Sequence, residues 1–144
     1  MPDTLSEDLQ DALDEACDQG NEAMDEGEFR EAAAFFRQAL DLLPQPAEEW
    51  EAYGWIMAAL GDAHYGMEDH AAALDYFRKA YAFAGPEEVN PFVLLRLGQC
   101  SRRLGDEKGA ADFLLRAYML EGEEIFENEE EDFAFLEKTV PLHD

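Results

Sequence analysis

Apolar residues recur along nearly the whole chain at the three-and-four spacing of one helix face. Nowhere do they alternate as a half-buried strand would. The spacing predicts helices over 5–25, 28–43, 47–65, 69–84, 91–104 and 107–120, with a further one over 123–138. Glycine followed by an acid marks the breaks at Gly27-Glu28, Gly66 to Asp69 and Gly105-Asp106, one residue type to stop a helix and the other to start the next. Pro44-Gln45-Pro46, Gly85-Pro86 and Gly122 interrupt the pattern between these pairs. In the third predicted helix Trp50, Tyr53, Met57 and Leu60 fall on one stripe. In the last, Ile125, Phe126, Phe133, Phe135 and Leu136 suit a capping helix.

The pattern also repeats. Gly20, Ala32, Phe36 and Ala39 recur as Gly61, Ala73, Phe77 and Ala80, and again as Gly98, Ala110, Leu114 and Ala117. The offsets from each glycine are 12, 16 and 19. The second set opens Met57-x2-Leu60-Gly61-x2-His64, and the third Leu94-x2-Leu97-Gly98-x2-Ser101. The first is weaker, with Ala16-x2-Gln19-Gly20-x2-Ala23, and ends on Pro44. This pattern resembles the tetratricopeptide repeat, a pair of antiparallel helices stacked on like pairs. The resemblance implies an all-α, right-handed superhelical array of three repeats, near 13–46, 54–87 and 91–124, with a C-terminal cap over 125–144 and a single domain over 1–144.

In that family the first helix of each repeat lines a concave, ligand-binding face. The repeat frame then places Asp14, Cys17, Asn21 and Met24 there from the first repeat. Trp55, Ala58, Asp62 and Tyr65 come from the second, and Phe92, Leu95, Gln99 and Arg102 from the third. The expected partner-binding set is Asn21, Met24, Trp55, Asp62, Tyr65, Phe92, Leu95, Gln99 and Arg102. The competing reading is that Trp55, Phe92 and Leu95 only pack against the terminal helices. Tetratricopeptide co-chaperones that hold heat-shock C-terminal carboxylates use two Lys, two Asn and an Arg. The matching positions here are Cys17, Asn21, Ala59, Phe92 and Arg96, so only Asn21 and Arg96 agree, and that partner is not expected.

Charge narrows the partner. The 144 residues carry 35 acids and 10 bases, net −25. Residues 1–26 hold ten acids and 121–132 hold eight, neither with a base, whereas 96–116 is locally basic. Solubility needs a net charge of only about 2–8 in magnitude. The excess argues against phosphate backbones and anionic lipid and for a basic or amphipathic protein partner. The apolar content of 47% is too high for a disordered acidic chain. The first residues lack the charge-then-apolar order of a signal peptide, and no apolar run would span a bilayer. With Cys17 and Cys100 far apart, the expectation is a cytoplasmic protein with reduced thiols.

Enzyme chemistry finds no pattern to stand on. His64, His70 and His143 lack metal-ligand spacing, neither cysteine has an evident base, and the glycines form no phosphate loop. No cofactor or metal is expected. The sequence points to a non-enzymatic protein-binding module, with a homodimer through an exposed aromatic groove as a further expectation. Its acidity favours an immunity protein that neutralises a basic secreted toxin. Leu97-Gly98-Gln99-Cys100-Ser101-Arg102-Arg103-Leu104 is similar to the third repeat of type III secretion translocator chaperones, which makes that the alternative. A scaffold subunit of a larger assembly is the third reading.

Overall fold

The computed structural model describes residues 4–140, in which there are seven α-helices and no strand. They are α1 (Glu7–Asp25), α2 (Phe29–Leu42), α3 (Glu51–Gly66), α4 (His70–Ala84), α5 (Pro91–Arg103), α6 (Glu107–Glu121) and α7 (Glu130–Thr139). The helices pack in chain order: α1 on α2, α3 on α4 and α5 on α6 form hairpins, while α2–α3 and α4–α5 join one hairpin to the next. Of the expected cap, residues 141–144, His143 among them, lie outside the described residues.

Each hairpin closes on the same contact. The repeat glycine of the first helix lies against the large side chain of the second: Gly20 on Phe36, Gly61 on Phe77 and Gly98 on Leu114. A Cβ on Gly61 would stand 2.7 Å from the Phe77 ring, so only a glycine admits the ring this deeply. Phe36, Phe77 and Leu114 are almost wholly buried, as are Ala32, Ala73 and Ala110. The small residues bring the two helices of each hairpin close enough for the large ones to fill the space left between them.

The three intra-hairpin turns share one backbone pattern. Glu28 N–H donates to Ala23 O at 2.8 Å, Asp69 N–H to His64 O at 2.9 Å, and Asp106 N–H to Ser101 O at 2.8 Å. Each bond closes around a residue in the left-handed region: Gly27 (φ 75°), Glu68 (φ 62°) and Gly105 (φ 88°). The second turn differs from the sequence expectation. Gly66 is the last helical residue of α3, and Glu68 takes the left-handed position instead. Gly66 serves packing, since a Cβ there would stand 2.6 Å from the Phe29 ring. Asp69 and Asp106 then cap α4 and α6 by accepting from Ala72 N–H (3.3 Å) and Gly109 N–H (2.9 Å).

Two predicted helices are each broken. Over 47–65, Ala47–Glu49 forms a 3₁₀ turn, and Trp50 is extended (φ −102°, ψ 138°) before α3 begins. Its indole Nε1–H donates to Pro44 O at 2.8 Å, which holds Trp50 to the proline linker and out of the helix. Over 123–138, residues Gly122–Phe126 form a 3₁₀ turn and α7 starts only at Glu130. A continuous helix would place Glu123, Glu127 and Glu131 one turn apart on one face, where like charges repel. The break instead buries the adjacent Ile125 and Phe126 together.

Candidate partner-binding groove

The first helices α1, α3 and α5 lie side by side and present one face across all three hairpins. Residues 124–129 fold back across the far end of that face and give it a fourth wall. The hollow so formed has a volume of about 640 Å³. Asn21 and Met24 of α1, Trp55 and Asp62 of α3, and Phe92 and Leu95 of α5 all line it, so six of the nine expected residues come together. Trp55 and Phe92 are 47% and 59% exposed, whereas Leu95 is buried and forms floor. Phe36 meets the Trp55 ring edge-on, with centroids 5.9 Å apart, and holds its orientation.

The other three expected residues have partners within the chain, which corrects the sequence reading: Gln99 and Arg102 in the cap, and Tyr65 in Arg96 of α5. Gln99 is 1% exposed, and its Nε2 donates to Asp132 Oδ2 at 2.9 Å. Arg102 Nη1 donates to the other oxygen of Asp132 at 3.2 Å, and its guanidinium lies over the Phe135 ring. Tyr65 lies beneath the Arg96 guanidinium, 4.3 Å from the ring centroid. For Gln99 and Arg102 the cause is α7, which sets Asp132 and Phe135 onto the end of α5 and closes the groove there. Of the three residues in the competing expectation, Trp55 and Phe92 keep exposed surface and Leu95 is buried.

A second hollow, of about 1080 Å³, adjoins the first at Asn21 and Trp55. It lies between the start of α1 and the start of α3, and its walls include Leu5, Leu13, Cys17, Trp50 and Ala52. Five carboxylates rim it: Glu7, Asp11, Asp14, Asp18 and Glu51. Five more rim the first hollow: Asp25, Asp62, Glu124, Glu127 and Glu129. Among the described residues the cation lining either hollow is Arg96, and it is already spent. Its Nε donates to Asp62 Oδ1 at 3.3 Å and its Nη1 to Gln99 Oε1 at 2.8 Å. The locally basic stretch seen in the sequence is therefore largely consumed internally: Arg102 pairs with Asp132, and Arg116 with Asp112 at 3.7 Å.

Sequence reasoning missed Trp50, Arg96 and the acids of 124–129 as groove residues. Trp50 and the 124–129 segment lie outside the repeat helices, so the repeat frame assigns them no face. Arg96 was legible at the clamp position but not its engagement with Asp62.

The titrating groups follow their surroundings. Burial raises the Asp62 carboxyl above its ordinary range, against the pull of Arg96. Burial, then Asp14 and Asp18, push the Cys17 thiol up to about 11, and burial pushes Cys100 up to about 12. Neither sulfur is an activated nucleophile. Burial, then Arg37, whose Nη2 lies 2.9 Å from His64 Nε2, lower the His64 imidazole below its ordinary value, against the pull of Asp69. Among the described residues, no three His, Cys, Asp or Glu side chains gather as a metal ion would need. No helix there is long and apolar enough to cross a membrane.

A sequence model of the tetratricopeptide repeat matches residues 20–84. The chain is similar in structure to the Yersinia enterocolitica type III secretion chaperone SycD in complex with a peptide of the translocator YopD. The TM-score is 0.67 at 16% identity, over 95% of both chains. It is also similar to the TPR2AB domain of yeast Sti1 in a complex with pHSP90 (TM-score 0.67, 16% identity), over 90% of this chain and 49% of that one. The N-terminal domain of C. elegans stress-induced protein-1 gives a TM-score of 0.66 at 16% identity, over 90% of this chain and 99% of that one. A search of curated proteins found no match.

Proposed function

Because this chain is a tetratricopeptide-repeat protein with an all-α superhelical fold, we propose that it is a non-catalytic module binding a basic, amphipathic segment of a partner protein along its concave face. The observation that carries this reading is the pair of adjoining hollows. Both have apolar and aromatic walls and rims of five carboxylates each, and among the described residues the cation lining them is Arg96, in the first hollow and already paired. Apolar side chains of the partner would enter the hollows while its basic ones face the rims. The carboxylate-holding role of heat-shock co-chaperones does not carry over, since Cys17, Ala59 and Phe92 stand where that role needs other side chains.

Two biological roles use such a site. In the first, the protein is an immunity protein that blocks the basic surface of a secreted toxin; the net charge of −25 favours this. In the second, it is a type III secretion chaperone that shields a translocator segment; its co-extensive likeness to SycD, whose structure contains a translocator peptide, favours this. Titration calorimetry with a basic amphipathic peptide and its charge-reversed counterpart tests the shared claim. The basic peptide is expected to bind and the reversed one to fail. Equal binding of both would overturn it. A steep loss of affinity with salt supports the charge-led first role, and salt-insensitive binding lost in Trp55→Ala and Phe92→Ala supports the second.

A further inference from the structure

Three arginines of this chain are seated in the same way. Arg96 lies over Tyr65 and pairs with Asp62. Arg102 lies over Phe135 and pairs with Asp132. Arg116 lies over Tyr81 and Phe113 and pairs with Asp112. In each seat an aromatic ring lies against the guanidinium and a carboxylate pairs with it; Arg96 and Arg102 donate an N–H to that carboxylate, whereas Arg116 donates to the Tyr81 hydroxyl. This suits arginine better than lysine, whose ammonium is neither planar nor forked.

The hollow between α1, α3, α5 and residues 124–129 has the same parts. Trp55 and Phe92 supply exposed rings, and Trp55 is held in place by Phe36. Asp62 accepts from Arg96 through Oδ1, and its Oδ2 has no hydrogen-bond partner among the described residues. Asp25, Glu124 and Glu127 add negative charge around it. None of the three seated arginines is placed to use both rings, since Arg96 lies on Tyr65 instead.

We propose that this hollow is the seat for one arginine side chain of the partner, stacked against Trp55 and Phe92 and held by Asp62. The proposal rests on the binding function above and sharpens it, naming the residue that sets the register of the bound segment. The adjoining hollow, whose walls include Leu5, Leu13, Cys17 and Ala52, takes the apolar part of the segment.

The test uses N-acetyl-arginine N-methylamide and its uncharged citrulline and ammonium-bearing lysine analogues, each titrated into the full chain. The indole ¹H–¹⁵N signals of Trp50 and Trp55 are followed, with Trp50→Phe assigning them. The arginine compound should shift the Trp55 signal saturably, with a dissociation constant on the order of millimolar, as expected of a fragment. The lysine analogue should bind several-fold more weakly and the citrulline analogue not at all. Asp62→Asn and Phe92→Ala should each weaken the arginine compound by about tenfold. Asp62→Asn also releases Arg96; Phe92 is exposed, so its replacement tests the seat without that disturbance. Equal binding of the citrulline analogue, no saturable shift at Trp55, or indifference to Phe92→Ala would overturn the proposal. A basic peptide that binds while the fragments do not discriminate removes the arginine seat and leaves the broader function standing. A fragment that binds as expected while the peptide fails does the reverse.

Discussion

Gln99 Nε2 donates to Asp132 Oδ2 at 2.9 Å, and this buried bond joins the third repeat to the C-terminal helix. Asp132 accepts from Arg102 through its other oxygen, so one carboxylate fixes two residues of α5. The bond decides where the groove ends, because it holds α7, and with it the acids of 124–129, across the concave face.

Removing it should loosen that wall. Asp132→Ala leaves the Gln99 amide buried without its acceptor and frees Arg102, at an expected cost of about 1–3 kcal/mol. Urea denaturation measures it. The double change with Gln99→Ala should cost less than the two single changes added together, as it must if the residues act as a pair.

The contact between Gly61 and Phe77 makes a second prediction. Phe77→Ala should cost about 3–5 kcal/mol, since the ring is 1% exposed and packs against Gly61 inside its hairpin. Gly61→Val should also destabilise, by about 1–3 kcal/mol, because its side chain enters the space that the ring occupies. Thermal unfolding followed by circular dichroism reads both.

Glu68 is the non-glycine residue at a left-handed turn position whose counterparts are Gly27 and Gly105. Glu68→Gly is expected to raise stability by about 0.5–1 kcal/mol, the relief of left-handed strain less the entropy of a more flexible unfolded chain. Glu68→Ala should give no such gain, because alanine meets the same Cβ conflict.

The Cys17 thiol, with its pKa pushed up to about 11 by burial and by Asp14 and Asp18, should resist alkylation near neutral pH. Its thiolate fraction there is about a hundredfold below that of an ordinary thiol of pKa 9.0. The rate of iodoacetamide labelling should therefore keep rising up to about pH 11. Asp14→Asn together with Asp18→Asn should bring that rise to lower pH.

The repeat core was legible in the sequence because its signal is positional. Gly20, Gly61 and Gly98 stand at fixed distances from the side chains they accommodate, and the structure pairs them accordingly. What the sequence concealed lies between or beyond the repeats. Trp50 reads as one more member of a helical stripe, yet an indole bond to Pro44 holds it extended. Gln99 and Arg102 read as groove residues because the frame assigns them the concave face, which they do occupy. No repeat frame registers that Asp132, 30 residues or more along the chain, covers that face from α7.

The most direct test of the concave face as the binding surface is a map of amide chemical-shift changes across the chain on adding a basic amphipathic peptide. Changes are expected on α1, α3 and α5 and at residues 124–129, centred on Asn21, Trp55, Asp62 and Phe92. Changes confined to α2, α4 and α6, or none at peptide concentrations that saturate a weak site, would contradict it.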